Sequence, residues 1–161
     1  MDTRGAYLSV RKAEQELNLP SQLSLESLRD HLEEKRKREI VIEELADLPG
    51  NDVCGVWLGT EEKDLILHTP TPWQWHRQQI ILHEFGHMIL SHDLDATPAD
   101  LKMASILDID PTTVRYIFLR GSYSDEAERA AEMVADRLSA RMLNSEPPLA
   151  SEHLAFGEVF G

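Results

Sequence analysis

The chain has 161 residues, of which 42% are hydrophobic, and a formal net charge of −13 at pH 7. This length suits one domain with a single core, and the acidic charge argues against direct binding to nucleic acid, which requires a basic surface. No apolar run approaches the roughly 20 residues that cross a bilayer, so no membrane segment is expected, and the single cysteine favours a reducing, cytoplasmic location.

Two helices are predicted at the start of the chain. Residues 3–18 have apolar positions at a loosely helical spacing. Pro20 follows closely, and the residue before a proline avoids the α region, so the helix should end there. Ser24 is a suitable N-cap for a second helix, which we expect to continue to about Lys37.

Three short runs rich in β-branched and apolar residues follow, at 40–42, 53–58 and 64–68. Each has the composition of a strand, and the sequence at 49–52, Pro-Gly-Asn-Asp, predicts a turn. Five polar or small residues at 59–63 separate the last two runs, which indicates an antiparallel hairpin. A small three-stranded antiparallel sheet is therefore expected.

Helical signals return after the sheet. Thr71 can cap a helix that has proline at its first position and Gln74 as the partner in a capping box, and this helix should reach about Ser91. The same cap-then-proline signal predicts short helices at 98–107 and 111–120. Ser124 can begin a last long helix that ends near Met142.

Together these elements predict an α+β domain over residues 1–145. Its small antiparallel sheet would pack with about six helices, and the helix that begins near residue 72 would directly follow the sheet. Residues 146–161 are expected to be a loose C-terminal tail, because two consecutive prolines at 147–148 interrupt any helix.

The helix after the sheet contains the sequence His83-Glu84-Phe85-Gly86-His87. Residues four apart lie on one face of a helix, so His83 and His87 can present two imidazole nitrogens to one ion. Glu84 lies about 100° around the helix and can reach a water bound to that ion, as a general base does. The spacing is typical of zinc metallopeptidases, although it arises by chance in a chain of this composition with a probability of about a few per cent.

A catalytic zinc site usually has a third protein ligand. In a continuous helix His92 would point about 180° away from His83, so we interpret it as a histidine at the helix end rather than a ligand. In the last predicted helix Glu128 lies about 60° from the centre of the apolar stripe, either as a ligand or as an ordinary acid at the boundary of the core. Glu132, one turn further on, could hydrogen-bond a ligating histidine.

Two blocks of the sequence resemble the ImmA/IrrE family of small metallopeptidases. Its members carry His-Glu-[Leu/Phe]-Gly-His on a helix after a small sheet, and later Glu-x-x-Ala-[Asn/Glu]-x-[Phe/Ile/Val]-Ala. Here the blocks read His83–His87 and Glu128–Ala135, with Glu132 and Val134 where many members have Asn and Phe. The resemblance implies that Glu128 is the third ligand and that the metal is Zn²⁺, although Mn²⁺ or Fe²⁺ could take the same ligands.

The function that this resemblance implies is a zinc-dependent endopeptidase that cleaves a transcriptional repressor with a helix-turn-helix domain. Metal-activated water would attack the peptide bond while Glu84 moves the proton, and Tyr116, Tyr123 or His76 could supply a further hydrogen-bond donor. One alternative is a zinc-stabilised regulatory or toxin–antitoxin component that acts by binding its regulator. Another is a His-Glu-x-x-His sequence that holds no metal.

Overall fold

The computed structural model describes residues 3–46, 48, 55–119 and 121–145. The α+β prediction is confirmed, but this part of the chain forms five α-helices rather than about six. The helices are α1 (Thr3–Leu17), α2 (Leu25–Arg36), α3 (Gln74–Ile89), α4 (Met103–Ile106) and α5 (Asp125–Ser145). The strands are β1 (Glu39–Glu44), β2 (Gly55–Thr60), β3 (Lys63–His68) and β4 (Val114–Phe118). None of the helices is both long and apolar enough to cross a membrane.

The four strands form one mixed sheet in the order β1-β3-β2-β4. β2 pairs antiparallel with both β3 and β4, whereas β1 runs parallel to β3. The prediction of three antiparallel strands is therefore wrong in the number of strands and in the pairing of β1. β1 and β2 run in opposite directions. Because β3 lies between them and is antiparallel to β2, β1 is parallel to β3.

The predicted antiparallel hairpin is confirmed, with a shorter loop than expected. β2 and β3 are separated by only two residues, because Thr60 and Lys63 extend the strands. The Thr60 hydroxyl donates to the backbone oxygen of Lys63 over 3.0 Å and accepts from its N–H over 3.1 Å, which closes the turn. The turn predicted at 49–52 and the start of the strand predicted at 53–58 lie outside the described residues, as does the tail predicted at 146–161.

The helix predicted at 111–120 is wrong. The cap and proline do form one turn, a 3₁₀ helix at Pro111–Thr113 in which the Asp110 carboxylate accepts from the N–H of Thr112 over 3.0 Å. The chain then becomes β4, because the edge of β2 offers it a ladder of backbone partners. Capping signals specify only the first turn of a helix, so they do not exclude a strand after it. The helix predicted at 98–107 is likewise reduced to the four residues of α4.

The central strands of the sheet, β2 and β3, are buried on both faces, which explains why each has a continuous apolar run rather than an alternating pattern. One face contributes Trp57 and Ile66 to the main core, beside Ile81, Leu82 and Phe85 of α3. The other face packs against α4 and the segment around it. α3 therefore lies between the sheet and α5, and these three side chains of α3 are fully buried.

The capping predictions for the longer helices had different outcomes. Ser24 is the N-cap of α2, and the Ser124 hydroxyl accepts from the N–H of Ala127 over 3.1 Å at the start of α5. The prediction that Thr71 caps α3 is wrong, because the N-cap is Trp73, two residues further on. Thr71 instead uses its hydroxyl to bind the Trp73 N–H and the Nδ1 of His76.

A buried carboxylate joins α2 to the sheet. Asp64 of β3 has no exposed surface, and its Oδ2 accepts from Arg36 Nη2 at 3.1 Å and from Arg38 Nε at 3.2 Å. Its Oδ1 accepts from the hydroxyl of Tyr116 on β4 at 2.6 Å. Arg38 also donates to the backbone oxygen of Thr60 at 2.6 Å. These bonds fix α2, β2, β3 and β4 relative to one another.

Replacement of Asp64 by alanine should therefore lower the free energy of unfolding by about 3 kcal/mol or more, because the two guanidinium groups lose their buried counter-charge. Urea titration followed by circular dichroism measures this change. Glu62→Ala, in the exposed hairpin loop, is the control and should change the value by less than about 0.5 kcal/mol. Equal midpoints for the two variants would contradict a structural role for the Asp64 network.

Candidate metal centre

Three side chains from α3 and α5 converge on one point. The Nε2 atoms of His83 and His87 lie 2.9 Å and 2.8 Å from the same oxygen of Glu128, Oε1, and 3.2 Å from each other. Two imidazole nitrogens and one carboxylate oxygen are a donor set that binds zinc in catalytic sites. The group His83, His87 and Glu128 could therefore hold a metal ion.

The two helices supply these groups because they approach each other closely. His83 and His87 are one turn apart on α3, and Glu128 lies in the first turn of α5. Between the two histidines, at Gly86, a Cβ atom would lie 2.7 Å from the backbone oxygen of Ala131 on α5. Any larger residue at this position would force the helices apart, and with them the carboxylate and the imidazoles.

Each histidine of the group also has a partner for its other ring nitrogen. The Nδ1 of His83 lies 2.7 Å from Oε1 of Glu132, which is one turn after Glu128 on α5. The other oxygen of Glu132 accepts a hydrogen bond from the side chain of Gln79 over 3.1 Å. A ligating histidine is usually oriented in this way through the nitrogen that faces away from the metal.

The Nδ1 of His87 contacts another histidine instead. It lies 2.8 Å from Nδ1 of His92, and the ring of Tyr123 stacks on the His87 ring with centroids 3.6 Å apart and planes 6° apart.

The prediction that the helix continues to about Ser91 is wrong: α3 ends at Ile89, and Ser91 has a left-handed backbone with φ of 57°. This turn brings His92 back beside His87, although His92 is not one of the three residues in the group.

Glu84 is buried beside the group and has one unpartnered oxygen. Its Oε1 has no hydrogen-bond partner among the described residues, and a Cβ atom on Gly55 of β2 would lie 3.0 Å from its Oε2. Burial raises the pKa of Glu84 to about 7, with His83 opposing the shift and Glu128 adding to it. A carboxylate with such a pKa can both accept and release a proton near neutral pH.

The pKa values of the three donors reflect burial, which is the largest cause for each, together with the hydrogen bonds and charges among them. Burial acts to lower the pKa of His83, but hydrogen bonds with Glu128 and Glu132 outweigh it and raise the value to about 10. Burial lowers the pKa of His87. For Glu128 burial acts upward, yet the hydrogen bonds from both histidines prevail and lower its pKa to about 2. The carboxylate is therefore ionised, as a metal ligand must be.

The structure distinguishes among the three residues expected as further hydrogen-bond donors, Tyr116, Tyr123 and His76. A cavity of about 380 Å³ opens beside the group, and Tyr123, His76 and Glu84 line it. The Tyr123 hydroxyl is buried and has no partner in the part of the chain that the structure describes, and burial, together with Glu84 and Glu128, raises its pKa. Tyr116 does not reach the cavity in this way, because its hydroxyl is bound to Asp64 in the sheet.

Two contacts of the group had not been predicted from the sequence. The stacking of Tyr123 on His87 joins residues that are far apart in the sequence, and no spacing rule indicates it. The pairing of His92 with His87 depends on the left-handed turn at Ser91. The nearness of His92 in sequence was a signal for it, but the assumption of a continuous helix pointed the side chain away.

Comparisons of the chain with protein-family models, curated proteins and solved structures find no match. The evidence for a metal centre is therefore the convergence of three donor atoms and the contacts that orient them.

Replacement of Glu128 by glutamine should weaken zinc binding by more than about 100-fold, because a neutral amide is a poor substitute for a ligating carboxylate. Competition with a chromophoric chelator measures the affinity. Glu126→Gln is the matched control, since Glu126 is exposed on the same turn of α5 and should bind zinc as the wild type does. Equal affinities for the two variants would remove Glu128 from the metal centre.

The close approach of α3 and α5 can be tested at Gly86. Glycine-to-alanine replacement inside a helix ordinarily stabilises a protein by about 1 kcal/mol, but here the new methyl group would meet the backbone of Ala131. We expect Gly86→Ala to lower the free energy of unfolding by about 1–3 kcal/mol and also to weaken zinc binding. Increased stability in urea titration would contradict the proposed contact, and Gln74→Ala, at the exposed start of α3, serves as the control.

Proposed function

We propose that this protein is a zinc-dependent metallo-endopeptidase of the ImmA/IrrE type. The observation that carries the proposal is the position of Glu84, which lines the same cavity as the His83, His87 and Glu128 group and has a buried oxygen without a partner among the described residues. A site that only held a structural metal would have no use for such a group, whereas hydrolysis of a peptide requires a general base at this place.

The proposed roles of the residues follow from their contacts. His83, His87 and Glu128 would hold Zn²⁺, which when bound supplies an activated water and polarises the scissile carbonyl. Glu84 would accept the proton of the attacking water with its carboxylate and transfer it to the leaving amine, a role that suits its pKa of about 7. Glu132 holds His83 in orientation through Nδ1.

Tyr123 is the residue that we propose as the further hydrogen-bond donor. Tyr123 lines the same cavity as Glu84, and its hydroxyl is buried without a partner among the residues described. Its raised pKa keeps the phenol protonated, so it can donate to the oxygen on which negative charge develops. His76 also lines the cavity but is engaged by Thr71, and Tyr116 is engaged by Asp64.

The proposed substrate is a transcriptional regulator with a helix-turn-helix domain, and the proposed setting is the cytoplasm. The substrate comes from the resemblance of the two sequence blocks, and the setting from the single cysteine, which favours a reducing compartment. The net charge of −13 supports this substrate, because a domain that binds DNA is basic and would be attracted to an acidic peptidase.

Glu84→Gln separates peptidase activity from binding. The variant should keep zinc affinity close to that of the wild type, while cleavage falls by about 10²–10⁴-fold because the general base is lost. Cleavage is measured by mass spectrometry after incubation with purified helix-turn-helix regulators, and zinc by elemental analysis.

Glu126→Gln is the control for this experiment and should cleave normally. If Glu84→Gln retained the full biological effect, the endopeptidase proposal would fail in favour of a component that acts by binding its regulator. Purified wild-type protein without any zinc, obtained in the absence of chelators, would contradict both.

A further inference from the structure

Both ring nitrogens of His87, Nδ1 and Nε2, have polar neighbours within hydrogen-bond distance. The side chain is fully buried, so its Nδ1 must find its hydrogen-bond partner within the protein. That partner is Nδ1 of His92, 2.8 Å away. Because two ring nitrogens at this distance share one hydrogen, one of them donates and the other accepts.

The direction of this hydrogen bond follows from what Nε2 of His87 contacts. That atom faces Nε2 of His83 and the carboxylate oxygen of Glu128. For Nε2 to offer a lone pair to a metal ion, the hydrogen of the neutral ring must be on Nδ1. His92 must then accept it, and the hydrogen of His92 lies on its own Nε2.

We propose that His92 is a positioning residue, which fixes the tautomer and the ring orientation of His87 by accepting its Nδ1–H. The inference rests on the metal centre of the proposed function, although it does not depend on the substrate. His92 occupies the position that a carboxylate or a backbone carbonyl usually takes behind a ligating histidine.

The two histidines of the centre are consequently held by chemically different partners. His83 is held by the carboxylate of Glu132, whereas His87 is held by a neutral imidazole. This difference suits their surroundings, because His87 is fully buried and His83 is partly exposed. A second carboxylate behind His87 would be an additional buried charge, whose desolvation is costly.

The backbone around residue 91 provides the required geometry. α3 ends at Ile89, Ser91 adopts a left-handed conformation, and a 3₁₀ turn begins at His92. His92 also borders a second cavity of about 410 Å³, which does not include Glu84 among its lining residues. Truncation of His92 therefore removes little close-packed core, and its variants should fold.

Three variants test the acceptor role. His92→Ala removes the acceptor, and we expect zinc affinity to fall by about 10–100-fold. His92→Asn restores an acceptor, because its Oδ1 is attached at the same place as the Nδ1 of histidine, and should recover most of the affinity. His92→Gln moves the oxygen one bond further out and should remain as weak as His92→Ala. Leu94→Ala, at an exposed position in the same turn, is the matched control.

The readouts are zinc affinity by chelator competition, the visible absorption spectrum of the Co²⁺-loaded protein and the urea midpoint of the metal-free protein. We expect His92→Ala to change the Co²⁺ spectrum and His92→Asn to restore it, with equal metal-free midpoints. Wild-type affinity and spectrum in His92→Ala would overturn the inference. Equal losses in His92→Ala and His92→Asn, or losses that follow a lowered metal-free midpoint, would also overturn it.

This experiment distinguishes the inference from the proposed function. Zinc binding that depends on His92, in a protein that cleaves no regulator, would defeat the peptidase proposal and support the inference. A wild-type protein that binds no zinc would overturn both.

Discussion

A Cβ atom at Gly86 would stand 2.7 Å from the backbone oxygen of Ala131, and the candidate metal centre depends on this contact between α3 and α5. The histidines one turn apart come from one helix, but the third donor must come from another. At this close approach of the two helix backbones, the carboxylate of Glu128 reaches both imidazoles. The burial of α3 between the sheet and α5 holds the contact in place.

Two buried polar centres among the described residues are neutralised in different ways. In the sheet the carboxylate of Asp64 is balanced by two arginines and a tyrosine hydroxyl, so it needs nothing further. Between α3 and α5 a carboxylate faces two imidazoles, while Glu84 keeps a buried oxygen without a partner. An unpartnered buried carboxylate oxygen is costly, and such a cost is typical of sites that perform chemistry rather than stabilise the fold.

Local patterns predicted the elements near the centre well. The periodicity around His83 and His87 indicated a helix, and α3 contains both residues. The wheel of the last helix directed Glu128 towards the core, where its carboxylate meets them. The same kind of reasoning did not find β4, because a cap and a proline describe a first turn only, and a strand is stabilised by partners that are remote in sequence.

By itself the sequence determined which residues could bind a metal, since residue type and a spacing of four along a helix are local properties. The tertiary structure decided which further residues and contacts complete the site around them. It placed β3 between β1 and β2, brought Glu128 to the histidines across Gly86, and turned His92 back onto His87 at Ser91. Each of these depends on backbone contacts or backbone angles that no side-chain pattern encodes, because the energy that selects them comes from packing between distant segments.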